Sequence, residues 1–91
     1  MIELDLNRPA FQESLFTVEK SVALSVLGAC KKLRKLTWEQ LYQHNGFNWE
    51  LIASQGYYTF RASSKIRVSA VRDGNIMRLL EIFEDHDSAY A

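Results

Sequence analysis

The sequence predicts an α+β fold in one domain spanning residues 1–91: N-terminal helices packed on one face of a twisted antiparallel β-sheet. Three observations carry this. Apolar residues from Val18 to Leu36 recur at helical spacing. From Trp49 onward the apolar period becomes two. Asp73-Gly74, between two alternating runs, is a strong hairpin signal.

The elements follow in order. Ile2 and Leu4 alternate with Glu3 and Asp5, which predicts a short strand. Asn7 is placed to cap a helix whose first turn holds Pro9, where a missing N–H costs nothing. Phe11, Leu15 and Phe16 fall at helical spacing, and Thr17 is placed to start a second helix. Its buried stripe is Val18, Val22, Val26, Leu27, Cys30, Leu33 and Leu36, with Gly28 marking close packing. Lys31, Lys32, Arg34 and Lys35 suit the negative end of that helix. Thr37-Trp38-Glu39-Gln40 matches a capping box and predicts a short helix to about Tyr42, stopped by Asn45-Gly46.

Trp49, Leu51 and Ala53 predict a short strand, followed by alternating runs over 57–62, 66–72 and 76–82. A loop of Ser63-Ser64-Lys65 pairs Arg61 with Arg67 and gathers Tyr58, Phe60, Ile66, Val68, Ala70, Met77 and Leu79 on one face. A loop one residue shorter would bury Arg61 among apolar side chains. An Asp73-Gly74 turn pairs Ser69 with Arg78 and Arg67 with Leu80. The opposite face then displays Thr59, Arg61, Arg67, Ser69 and Arg78. Three guanidinium groups on adjacent strands would form a compact phosphate platform, since each grips phosphate through two parallel bonds. The bland alternative is the solvated face of a one-sided sheet.

Eleven basic residues balance eleven acidic ones, so any nucleic-acid site is a local patch. The lone Cys30 excludes an internal disulfide and a cysteine-rich metal site, and lies on the apolar stripe. No metal motif, Gly-rich phosphate loop or nucleophile elbow is present, so no cofactor is expected. No spanning or export segment is expected either, which fits a cytoplasmic protein without a membrane partner. His44 falls in a loop with no ligand partner at metal spacing. His86 can exchange protons near neutral pH, and Tyr90 can do so with a lowered pKa or can stack on a base.

The order of elements, with Tyr58-Thr59-Phe60-Arg61, Lys65-Ile66-Arg67-Val68, Arg72-Asp73-Gly74 and His86-Asp87-Ser88-Ala89-Tyr90, resembles the RelE/ParE toxin superfamily. The resemblance covers most of the chain, and its recognisable positions lie in the sheet half. It implies the toxin of a bacterial type II toxin–antitoxin system, with an antitoxin protein as partner. It further implies metal-independent cleavage of mRNA, ribosome-bound in the RelE branch. Arg61 and Arg67 match the family's sheet arginines and Tyr90 its terminal tyrosine; His86 falls near its histidine, and Asp87 stands where many members carry arginine. The implied catalytic set is Arg61, Arg67, His86 and Tyr90, with Arg78, Lys65 and Arg72 holding nucleic acid. The alternatives are a gyrase inhibitor of the ParE branch and a catalytically silent partner-binding domain.

Overall fold

A computed structural model describes residues 1–84. In chain order the elements are β1 (Glu3–Asp5), α1 (Pro9–Thr17), α2 (Lys20–Leu33), α3 (Trp38–Tyr42), β2 (Glu50–Ile52), β3 (Tyr57–Arg61), β4 (Arg67–Asp73) and β5 (Ile76–Phe83). The fold class is the expected α+β arrangement, with one correction to the sheet. β2 to β5 form an antiparallel meander, but β1 pairs parallel with β5, giving a mixed sheet in the order β1-β5-β4-β3-β2. The chain between the two parallel strands, which holds the three helices and β2 to β4, is long enough to bring the last strand beside the first in the same direction.

One apolar core joins the layers. Phe11 of α1, Val26, Cys30 and Leu33 of α2, and Leu41 of α3 pack with Phe60, Val68, Ala70, Met77 and Leu79 of the sheet. The face predicted to be apolar is the one the helices cover. Two helix positions depart from the expected stripe: Phe16 is 82% exposed and Leu27 is 40% exposed. Leu27 follows buried Val26 by one residue, a rotation of about 100° that carries it away from the core.

The helix boundaries also shift. Arg8, not Asn7, stands at the N-cap position of α1 and makes no side-chain capping bond, while the Asn7 N–H donates to Asp5 Oδ1 at 2.9 Å. Pro9 opens the helix as expected. Thr17 ends α1 rather than starting α2, and its hydroxyl donates back to the Ser14 carbonyl at 3.2 Å. The capping box of α3 is complete: Gln40 N–H donates to Thr37 Oγ1 at 3.1 Å, and Thr37 N–H to Gln40 Oε1 at 2.9 Å.

Two details of β4 and β5 reset the sheet register. Asp73 pairs with Ile76, so Gly74 and Asn75 form the turn. Gly74, at φ 60°, takes the first central position, where a type II′ turn favours glycine. Farther along, Ala70 pairs with Leu79 but Ser69 pairs with Glu81, leaving Leu80 as the extra residue of a bulge. The alternation expected through Ile82 is therefore broken. The bulge reverses the phase of β5, which brings Ile82 opposite Val68 and against the core. Without it, Glu81 would face the core and bury a carboxylate. Ser69 Oγ accepts the Glu81 N–H at 3.0 Å, and the Leu80 carbonyl accepts from Arg8 Nη1 at 3.0 Å. The bulge is thus tied to the start of α1.

Gly28 does not mark close packing. A Cβ at that position would meet no atom of the described residues within 4 Å. We therefore predict that Gly28→Ala raises unfolding stability by about 0.5–1 kcal/mol, the usual difference in a helix interior. Urea unfolding measures this; a loss of stability would mean that the space above Gly28 is needed by the fold itself.

Candidate functional site: the arginine-bearing face of the sheet

Arg61 and Arg67 stand opposite each other across β3 and β4, as the loop length predicted. Their surroundings are very different. Arg67 is 1% exposed and is the largest fully buried side chain. Its Nε and Nη2 donate to Thr59 Oγ1 at 3.0 and 2.7 Å, and Nη2 also donates to the Asn48 carbonyl at 2.9 Å. Thr59 and Ser69 beside it are buried too. The expectation that Arg67 stands on an open platform, clear of any packing, is corrected. A buried guanidinium stays charged, so it must be surrounded by acceptors, and the central rows of this face supply them.

Asn48 is shaped for this contact. It is the one non-glycine described residue with positive φ, at 46°. Asparagine tolerates that region better than most residues. The left-handed turn precedes β2 and leaves the Asn48 carbonyl at the Arg67 guanidinium. A polar contact thereby links the α3–β2 loop to the middle of the sheet.

The other expected contacts do not converge either. Arg78 shares the face with Arg67 but pairs with Val71, about 13 Å along β4 at roughly 3.3 Å per residue. Its Nε meets Asp5 Oδ2 at 3.0 Å, and its Nη2 lies 4.0 Å from Asp73. Arg72 belongs to the helix-covered face. Its guanidinium lies 4.2 Å from the Trp38 ring centroid, and it donates to the Gly74 carbonyl at 2.8 Å and the Tyr42 hydroxyl at 3.3 Å. Lys65 is exposed in the β3–β4 loop. The compact three-arginine platform is therefore replaced by one buried arginine, one ion-paired arginine and exposed Arg61. His86 and Tyr90 lie outside the described residues.

Tyr57 is a residue of this face that alternation alone does not single out. It sits on the same face as Arg67, with its ring 6.3 Å from that of Phe83. Burial first, and Glu81 second, push its pKa up, so the hydroxyl stays protonated and can donate. The bulge that turns Glu81 toward this face was the missed signal. The adjacent apolar pair Leu79-Leu80 is its trace in the sequence. Trp38, Tyr42, Trp49 and Tyr58 form a packed aromatic group, with Trp49 stacked on Tyr58 at 4.8 Å. Cys30 is buried in the core, and burial pushes its thiol up to about 11.

No group of His, Cys, Asp or Glu among the described residues could hold a metal ion. No described helix is long and apolar enough to cross a membrane. No protein-family model, curated protein or solved structure matches the chain.

Two predictions follow from the buried and ion-paired arginines. Arg67→Ala removes a buried side chain and leaves Thr59 Oγ1 and the Asn48 carbonyl short of a donor. Its expected cost is about 2–4 kcal/mol in urea unfolding, and Arg67→Lys should restore only part of it. A change below about 0.5 kcal/mol, the size of an ordinary surface substitution, would contradict the interior role. The second concerns Asp5, whose pKa is lowered first by the Asn7 N–H and then by Arg78. A lowered folded pKa adds stability above the ordinary value of 3.8, and that stability fades as pH falls through the folded value. Asp5→Asn should therefore lower the melting temperature more at pH 5 than at pH 2.5; an equal drop at both would show that the charge is not involved.

Proposed function

We propose that the protein is the toxin component of a bacterial type II toxin–antitoxin pair of the RelE/ParE kind, acting in the cytoplasm as a metal-independent endoribonuclease on mRNA, ribosome-bound in the RelE manner. The observation that carries this reading is the arrangement of strand, helices and meander with Arg61 opposite Arg67 on the face away from the helices. That is the element order and the arginine placement on which the resemblance rests.

In this reading the two arginines divide the work. Exposed Arg61 contacts the scissile phosphate, while buried Arg67 fixes the strand pair beneath it. Cleavage without metal needs a base to take the 2′-OH proton as the 2′ oxygen attacks phosphorus. It needs charge stabilisation at the phosphate and an acid to protonate the departing 5′ oxygen. The P–O5′ bond breaks, leaving a 2′,3′-cyclic phosphate and a 5′-OH. His86 and Tyr90 are the residues proposed for the two proton transfers.

The antitoxin partner fits the groove between β1 and α2. It has a volume of about 790 Å³, with Met1, Leu4, Leu6 and Leu27 in its apolar part and Glu3, Lys31 and Arg34 also lining it. β1 is also an edge of the sheet, open to an added strand. A second reading has a specific observation in its favour. Of the four strand arginines, Arg67, Arg72 and Arg78 are engaged within the chain, which suits a non-enzymatic toxin of the gyrase-inhibiting kind or a silent partner-binding domain.

Induced expression with mapping of mRNA ends separates these readings. The ribonuclease reading predicts growth arrest with new 5′-OH ends, and Arg61→Ala should cut cleavage about a hundred- to a thousandfold while leaving the unfolding midpoint unchanged. Arrest with intact mRNA would move the assignment to the gyrase-type reading. Absence of arrest would leave the partner-binding domain.

A further inference from the structure

A groove of about 610 Å³ lies between α2 and the β3–β4 loop, apart from the buried rows of the sheet face. From its geometry and charge we infer that it is a binding site for a nucleotide phosphate. Lys32 of α2 and Arg61 at the end of β3 both line it, and no carboxylate among the described residues does. Neither cationic side chain has a hydrogen bond or ion pair with a described residue. This sets Arg61 apart from Arg67, Arg72 and Arg78, whose guanidinium groups are all engaged. Two unneutralised cations facing one cleft favour an anionic occupant.

His44 adds a positioned ring. Its Nδ1 accepts the Phe47 N–H at 3.3 Å, so in the neutral ring the proton resides on Nε2, where it can be donated. The Phe47 ring packs 4.7 Å from it. A Cβ at Gly46 would stand 2.9 Å from His44 Cε1, so glycine is what lets the ring sit there. Ser63 and Ser64 line the groove on the loop side.

The size and the helix wall argue for more than a bare phosphate. The volume lies within the range of small-molecule sites, about 300–1,000 Å³. Gly28 stands in the interior of α2, where glycine weakens a helix, yet a Cβ there would touch nothing among the described residues. Its absence leaves the helix wall open beside Leu24 and Ala29, where a sugar or base can lie against the backbone. A free nucleotide and a unit of an RNA strand present the same phosphate chemistry, and the test distinguishes the two sources. The inference rests on the reading of Arg61 as the phosphate contact, and because it is read by binding rather than by cleavage or growth arrest, its failure is distinguishable from failure of the ribonuclease reading.

The test is a titration of the full chain, followed by ¹H–¹⁵N spectra, with uridine 5′-monophosphate, a uridine pentanucleotide RNA and uridine. Shifts are expected with a phosphate-bearing probe at residues 24–32, 44–47 and 61–64, and none with uridine. Binding of both phosphate probes would identify a free nucleotide as sufficient, and binding of the RNA alone would identify the strand. Arg61→Ala should weaken binding about tenfold or more. Gly28→Leu should abolish it by filling the groove, with the rest of the spectrum native. Absence of shifts with both phosphate probes, equal shifts with uridine, or undiminished binding in Gly28→Leu or Arg61→Ala would overturn the inference.

Discussion

The Arg67 guanidinium, held inside the sheet's outer rows by Thr59 and the Asn48 carbonyl, is the constraint on which the arrangement of this face depends. An arginine cannot shed its charge by deprotonation, and an unpaired ion in a dry interior costs several kcal/mol. Acceptors therefore have to surround it. Thr59 supplies one from the neighbouring strand, at the diagonal position that the register fixes. Asn48 supplies another by turning its backbone left-handed just before β2. The result couples the centre of the meander to the loop that delivers its edge strand.

That constraint also divides the arginines by role. Arg72 is held against Trp38, and Arg78 links β1 to β5 through Asp5. Their charges serve the fold before they can serve a ligand. Arg61 sits where strand pairing and the open groove meet: it faces Arg67 across the sheet and lines the cleft beside α2. The like-charge pair is tolerated because one member is satisfied internally and the other is exposed to solvent. A phosphate arriving at Arg61 would meet a side chain with no internal partner to displace among the described residues.

Much of this architecture is legible from local chemistry. The Thr37 and Gln40 capping box, Pro9 in the first turn and the Ser63-Ser64-Lys65 loop each act over a few residues, and each appears as expected. Features that depend on distant partners are less visible. The parallel β1–β5 pair joins residues more than seventy positions apart. Leu80 becomes a bulge because the phase of β5 must change to keep Glu81 out of the core. Arg67 looks like a surface residue by alternation, since the pattern identifies its face but not the burial of that face. For the candidate site, alternation located Arg61, whereas the groove involving Gly28, Lys32 and His44 needs the packing of α2 against a distant loop.

Arg67 is an interior tie, whereas Arg61, its partner across β3 and β4, is exposed to solvent. Hydrogen exchange at the two Nε–H groups, measured by NMR on the full chain, tests this contrast most directly. The Arg67 Nε–H is expected to exchange slowly, protected by its bond to Thr59, beside an Arg61 Nε–H that exchanges at the rate of a solvated guanidinium. Equal, rapid exchange at both positions would contradict it.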